Sequence, residues 1–333
     1  MRPLGARAAA WLVHLADPQR LAPAPPGPPP WEEAHAILEA ASAHGVLPSV
    51  LRGLAQASRA SGGAGGAALA QARARLAAQA GFGLLLSHHA ARLLPALAEA
   101  GIGATLVKGA CFARRIYPDQ GLRGFTDLDI LVAQQDRRAA GEVLARLGFV
   151  EETPEYRAGA DYAEEKWLLA ADRSVLVELH GDLVHNPRLR RALHLDRAAV
   201  LAAGGRDAED ASALLLVAAV HCATSHQFDR LQHVVDVLLL GRGAAGAVDA
   251  ARLKRVAEGC RARTALCVAL LVASRLFGDA ACAGLARQLG AGAAARLGAA
   301  LIAPCVVLRA PTDARGRDSW RRKALRELLR LGG

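Results

Sequence analysis

The chain has 333 residues, 53% of them hydrophobic, 22% charged and only 4% aromatic. That balance excludes a disordered polyampholyte and permits a buried core, and the length admits two or three domains. The net charge of +10, from 41 Lys+Arg against 31 Asp+Glu, identifies no partner by itself, because nearly all of the basic residues are arginines in an Ala- and Gly-rich chain of the kind a GC-rich genome encodes.

In chain order, Arg2 and Arg7 precede an apolar run at residues 8–15 that His14 and Asp17 interrupt. No small-residue cleavage site follows, so a short helix is expected rather than a signal peptide. Residues 17–30 (DPQRLAPAPPGPPP) form a proline-rich connector. Helical periodicity then runs over 31–54, a Gly- and Ser-rich break covers 58–66, and a further helix spans 67–100. Residues 1–100 are thus expected to form an N-terminal helical lobe.

From residue 101 short β-rich runs alternate with helices. Strands are expected at 104–107, 127–132, 166–171 and 174–180, and helices at 109–117 and 136–147, with Asp172-Arg173 as a two-residue hairpin. Beyond residue 182 the helical period returns at 211–225, 227–240, 249–259, 263–277 and 319–331. The fold class is α+β, a small mixed-sheet core at 101–182 embedded in a mostly helical chain, with 183–333 as a C-terminal helical region. The longest apolar runs, 211–219 and 264–274, are shorter than the roughly 18 residues of a membrane span, and Pro304 interrupts 297–308. The six cysteines include no Cys-x-x-Cys pair and lie in apolar helical stretches, which reads as buried reduced thiols in a cytoplasmic protein.

Charge is unevenly placed. Residues 100–182 hold 10 basic and 14 acidic groups, whereas 183–333 hold 23 and 12. The acidic unit contains the informative stretch, residues 106–132 (LVKGACFARRIYPDQGLRGFTDLDILV). Asp127 and Asp129, two apart on a strand, project from one face while Leu128, Ile130 and Val132 point to the other. Adjacent carboxylates repel unless a cation neutralises them, and a hard divalent ion such as Mg²⁺ or Mn²⁺ shared with substrate phosphates does so. Lys108-Gly109 between a strand and a helix supplies a cation and backbone N–H groups suited to a polyphosphate. Glu178, on a strand where Val175, Val177 and Leu179 alternate away from it, adds a third carboxylate and shares its face with His180.

At these residues the chain resembles the polymerase-beta-type nucleotidyltransferase superfamily, and most of all the large bacterial family of uncharacterised nucleotidyltransferases. The resemblance is carried by Lys108-Gly109, Tyr117-Pro118-Asp119, Arg123, Asp127-Leu128-Asp129-Ile130-Leu131-Val132, Leu147-Gly148-Phe149 and Glu178-Leu179-His180, with His44-Gly45-Val46, His221 and Asp236 as further landmarks. Two departures stand out: no serine follows Gly109, and Glu178 replaces the commoner aspartate. The resemblance implies metal-dependent transfer of a nucleoside monophosphate from a nucleoside triphosphate, ATP among them, to an acceptor, with pyrophosphate released. It implies Asp127, Asp129 and Glu178 as metal-binding and catalytic residues, and Lys108 and Gly109 as phosphate contacts. Arg123 either holds a phosphate or acceptor anion or pairs with the acidic segment. Related readings are a toxin-type nucleotidyltransferase acting on tRNA and a non-catalytic nucleotide-binding or scaffold protein that keeps the fold.

Other clusters are weaker. His233 and Asp236 stand three apart on one helical face, but the spacing of five from His221 to His226 does not stack on a helix, so these histidines read as core or site-wall residues that could line an acceptor pocket. His180 is expected to orient the groups around Glu178. His88-His89 reads as an exposed pair. Residues 309–330 hold eight basic and three acidic groups, with Trp320, Ala324, Leu328 and Leu331 on one helical face. This tail is expected to pack on the body, with RNA or another acidic surface as the alternative partner.

Overall fold

A computed structural model describes residues 4–21, 23–152, 163–309 and 319–332. Helix α1 (Ala6–Ala16) stops at the proline-rich connector, as prolines dictate. The single helix expected over 31–54 is broken in two, α2 (Ala34–Ala43) and α3 (Leu47–Ala60), because Gly45 takes a φ of +73°. A Cβ there would also sit 2.7 Å from Gln232 Oε1, so the turn is closed against the C-terminal helices. The buried His44 links the same places: its backbone oxygen accepts from the Gln232 N–H at 3.1 Å. Helix α4 (Gly66–Glu99) has 34 residues, roughly 50 Å at 1.5 Å per residue, and spans from α2 and α3 to the sheet.

The sheet follows. Strand β1 (Ala104–Val107), helix α5 (Gly109–Arg115), β2 (Leu128–Val132), α6 (Arg137–Arg146), β3 (Phe149–Glu151), β4 (Glu164–Leu169) and β5 (Leu176–His180) give the order β1-β2-β5-β4-β3. Among the described residues only β2 and β5 are parallel; the other pairs are antiparallel, which makes the sheet mixed as expected. The β4–β5 connection is not a two-residue hairpin but covers residues 170–175, where Asp172 accepts hydrogen bonds from Ser174 N and Oγ. Asp-Arg lacks the left-handed preference of a tight two-residue turn, and the Asp172 side chain builds a wider one.

Alternation splits the sheet chemically. Leu128, Ile130, Val132, Val177 and Leu179 pack with Leu86, Leu93 and Leu97 of α4 and with Ala140, Val143 and Leu144 of α6. Asp129, Glu178, His180, Glu164 and Lys166 occupy the opposite face. His89 is buried by this packing, edge-on to Phe149 at 6.1 Å, and is not the exposed residue expected.

The rest is helical: α7 (Pro187–Arg190), α8 (Arg197–Ala203), α9 (Ala211–Thr224), α10 (Leu231–Gly241), α11 (Ala250–Gly259), α12 (Arg263–Phe277), α13 (Ala280–Gln288), α14 (Ala293–Leu301), α15 (Pro304–Val307) and α16 (Trp320–Leu331). Every residue of α9 is buried, the expected fate of a helix that is apolar all round. One large core joins the N-terminal helices to these, for example Leu12, Ile37 and Leu54 with Leu216, Leu239 and Leu266. In α16 the fully buried residues are Arg322, Leu325 and Leu329; of the face expected from the sequence, Leu328 packs half-buried on the core, whereas Trp320 and Leu331 are exposed. The basic segment leading into it, residues 310–318, lies outside the described residues. Among the described residues no helix is long and apolar enough to cross a membrane.

Ends of the chain far apart in sequence meet at Arg242, which donates from Nη1 to Asp17 at 2.9 Å and from Nε to Asp279 at 2.6 Å. Asp17 is fully buried. Replacing Arg242 by Ala is expected to lower unfolding free energy by about 3–5 kcal/mol, since it strands a buried carboxylate; urea denaturation followed by circular dichroism measures this. Five cysteines are buried, but Cys305 is exposed, a correction to the expectation that all six are shielded. Thiol titration of the native protein is therefore expected to label Cys305 alone, and all six cysteines once the chain is unfolded.

Candidate active site

Parallel pairing of β2 with β5 sets Asp129 opposite Glu178, and antiparallel pairing of β4 with β5 sets Lys166 opposite Glu178. Acid, acid and lysine thus form one row across three strands, with Lys166 Nζ 3.0 Å from Glu178 Oε1. Two residue pairs further on, on the same face, His180 stands opposite Glu164. His180 Nε2 lies 3.0 Å from Asp129 Oδ1, and its ring stacks on that of His185 at 5.0 Å. His185 Nδ1 in turn lies 2.8 Å from Glu164 Oε2.

Lys108 completes the row from the end of β1. Its Nζ makes a close ion pair with Asp129, and both side chains are buried. Its backbone has φ +55° and ψ −134°, a conformation rare outside glycine that costs on the order of 1–3 kcal/mol. The strain turns the chain sharply from β1 into α5 while the side chain stays on the polar face. Gly109 follows where the backbone passes Phe125 closely: a Cβ there would come within 3.1 Å of Phe125 Cβ.

These contacts separate the carboxyls electrostatically. Burial works against ionisation of Asp129, yet the Lys108 ammonium and the His180 hydrogen bond prevail and hold its carboxyl well below the usual range. Burial likewise opposes the Lys108 charge, and Asp129 and Glu178 more than compensate, so its pKa is raised. Asp127, just ahead of β2, has no hydrogen bond or ion pair to another described residue; burial, with Asp129 and Glu178 adding, pushes it up to about 7. Its carboxyl lines the same cavity but stands outside the close group formed by Asp129, Glu178 and His180, whose ligand atoms lie within 4.8 Å of one another.

Arg123 is placed as an ion pair, with Asp236 of α10 and not with the acidic core. Its Nε and Nη2 donate to the two Asp236 oxygens at 2.9 and 2.8 Å, and Nη1 donates to the Gly109 carbonyl at 3.2 Å. Tyr117 Oη donates to Asp236 Oδ1 at 2.8 Å. Burial, and next the Asp236 charge, push the Tyr117 phenol well above its ordinary pKa, so it stays a donor. This group ties the Lys108-Gly109 turn to the helical region. Cys111, beside that turn, is no nucleophile: burial pushes its thiol up to about 12.

A cavity of about 490 Å³ gathers the site. Lys108, Gly109, Arg123, Asp127, Asp129 and Glu178, the six residues singled out in the sequence, all line it, and so do His221, His226 and His233. Glu164, Lys166 and His185 also line it and were not singled out. The signal for Lys166 was present in the chain, as its strand register opposite Glu178, but register is visible only once β4 and β5 are paired.

Arg123→Met is expected to destabilise the fold by about 3–5 kcal/mol by orphaning Asp236, whereas Tyr117→Phe removes one hydrogen bond to it and costs about 1–3 kcal/mol. Paired denaturation curves of the two variants test the ranking.

A family model described as "Uncharacterised nucleotidyltransferase" matches residues 30–278. Searches of curated proteins and of solved structures give no match.

Proposed function

This chain belongs to the uncharacterised nucleotidyltransferase family, and from that premise we propose that it transfers a nucleoside monophosphate from a nucleoside triphosphate to an acceptor hydroxyl or phosphate, with Mg²⁺ or Mn²⁺ as cofactor. The observation that carries the reading is the grouping of Asp127, Asp129 and Glu178 with Lys108 around one cavity. The donor set fits a hard divalent ion: all three ligands are carboxylates, and Asp127, facing the others, has no protein cation of its own. When bound, the metal would screen the triphosphate charge and help the acceptor oxygen to ionise.

The chain's own residues do the rest. Lys108, held at Asp129, and the Gly109 backbone receive the β- and γ-phosphates. Glu178, kept in place by Lys166, takes the acceptor proton as the acceptor oxygen bonds to the α-phosphorus. The bond from that phosphorus to the α,β-bridging oxygen breaks, and pyrophosphate leaves with its electron pair. Arg123 positions the Gly109 carbonyl, and so the phosphate-binding turn, from beneath. The buried free thiols fit a reducing, cytoplasmic setting.

One observation favours a polyanionic acceptor, tRNA in the toxin-type reading. The cavity shares His185, Ser225 and His226 with a neighbouring one, which through Asn186, Leu189 and Arg326 adjoins a third lined by Arg188, Arg191, Arg261, Arg326 and Arg330. Such a track would draw a nucleic-acid backbone towards the carboxylates.

Purified protein incubated with each α-labelled nucleoside triphosphate, Mg²⁺ or Mn²⁺ and cell extract is expected to transfer label, and Asp129→Ala to reduce transfer on the order of a hundredfold or more. Label in tRNA selects the RNA reading, and label in protein or a small molecule rejects it. Nucleotide binding without transfer would mark a non-catalytic binder; absence of both transfer and binding would overturn the proposal.

A further inference from the structure

His221, His226 and His233 come from three separate places: the last turn of α9, the loop after it, and the first turn of α10. Their ring centroids are 4.6 Å (221 to 226), 5.0 Å (221 to 233) and 4.0 Å (226 to 233) apart. One nitrogen of each lies within 4.8 Å of the others. A spacing of five residues, wrong for a helix, still brings His226 back to His221 because the His226 N–H donates to the His221 carbonyl at 3.3 Å; beyond it Gln227 and Phe228 both take positive φ, at 48° and 62°, and reverse the chain towards His233.

The imidazoles are short of partners. Both ring nitrogens of His233 and Nδ1 of His221 are buried with no hydrogen bond, although each residue is more than nine-tenths buried. A buried, unsatisfied polar atom costs about 1–3 kcal/mol, so three in one spot call for a ligand. His226 has the opposite arrangement. Its Nδ1 lies 3.1 Å from Asp229 Oδ1, which leaves Nε2 for another bond. A carboxylate on the far nitrogen of a histidine is the usual support of a metal-bound imidazole. Burial first, then neighbouring cationic groups, lower the pKa of His221 and His233 well below the ordinary value, favouring the neutral ligating form.

We infer that His221, His226 and His233 form a second metal site, for one borderline divalent ion of the Zn²⁺ class, on the wall of the cavity that holds the carboxylates. Three imidazole nitrogens suit such an ion, whereas the oxygen-only set of Asp127, Asp129 and Glu178 suits a hard one, so the two sites select different metals. Tetrahedral binding at about 2.0–2.1 Å draws the nitrogens to about 3.3 Å from one another, a closure from the 4.8 Å within which they already lie. Because all three residues line the cavity, the fourth position opens onto it and can take water or a substrate oxygen. The inference does not rest on the nucleotidyltransferase reading.

Chelator-treated protein dialysed against Zn²⁺ is expected to retain about one equivalent, and Co²⁺ in its place to give the visible bands of a four-coordinate nitrogen site. His226→Gln should weaken Zn²⁺ binding at least tenfold and abolish the Co²⁺ bands, and Asp229→Asn should weaken it about 10–100-fold. Both side chains lie at the partly exposed edge of the cluster, so these variants keep the test open if His233→Ala does not fold. Glu178→Gln should leave Zn²⁺ binding intact. Wild-type protein that retains no Zn²⁺, His226→Gln with wild-type affinity and spectrum, or Zn²⁺ lost in Glu178→Gln but kept in His226→Gln would each overturn the inference. Loss of nucleotide transfer with Zn²⁺ binding intact bears on the transfer reading alone.

Discussion

Asp129 is an ionised carboxylate in almost complete burial, and the site is arranged around meeting that requirement. Taking a charge out of water costs several kcal/mol unless a counter-charge and hydrogen bonds replace the lost solvent. Lys108 supplies the charge and His180 the hydrogen bond. Each has a structural consequence. Lys108 accepts a strained backbone to reach Asp129 from the end of β1, and His180 sits two residues along β5, on the same face, so that its ring reaches back to Asp129. Asp127 receives neither contact, and burial with the neighbouring Asp129 and Glu178 charges outweighs the pull of Lys108 and Arg123 on its carboxyl.

A second buried ion pair fixes that arrangement to the rest of the molecule. Arg123 grips Asp236 with two parallel hydrogen bonds, a geometry that a lysine could not reproduce. Through its third contact, to the Gly109 carbonyl, it ties down the Lys108-Gly109 turn. The helical region is therefore part of the site and not an appendage: α10 carries Asp236 on one turn and His233 on the preceding one, so a single helix braces the turn and forms the opposite wall.

Polar residues are divided between the two sides in a chemically consistent way. The sheet side offers carboxylates with lysines, and the helix side offers imidazoles with arginines beyond them. The sheet can present carboxylates because the other face of its central strands β2 and β5 is apolar and packs on α4 and α6. The imidazoles sit where α9, buried on all sides, runs out of apolar residues at His221 and Thr224.

Much of this was readable in the chain alone, for a physical reason. Alternation in DLDILV and VLVELH decides which side chains share a face of a strand, and period 3.6 decides it within a helix, so the carboxylates, the central strands and the main helices could be placed from residue types. The short strand β3 and helices α7, α8, α13 and α14 gave too few residues for a period to show. What local pattern cannot encode is which face meets which. Arg123 and Asp236 are 113 residues apart, Lys166 meets Glu178 only through strand pairing, and His226 reaches His233 only because two left-handed residues reverse the loop. Those partners are chosen by the packing of the whole chain. The sequence alone thus determined that carboxylates would share one face of a small sheet, with a lysine at the turn beside it. The tertiary structure decided which charges are already neutralised, and so left Asp127 and the buried nitrogens of His221 and His233 among the described cavity groups that still lack a hydrogen bond or ion pair.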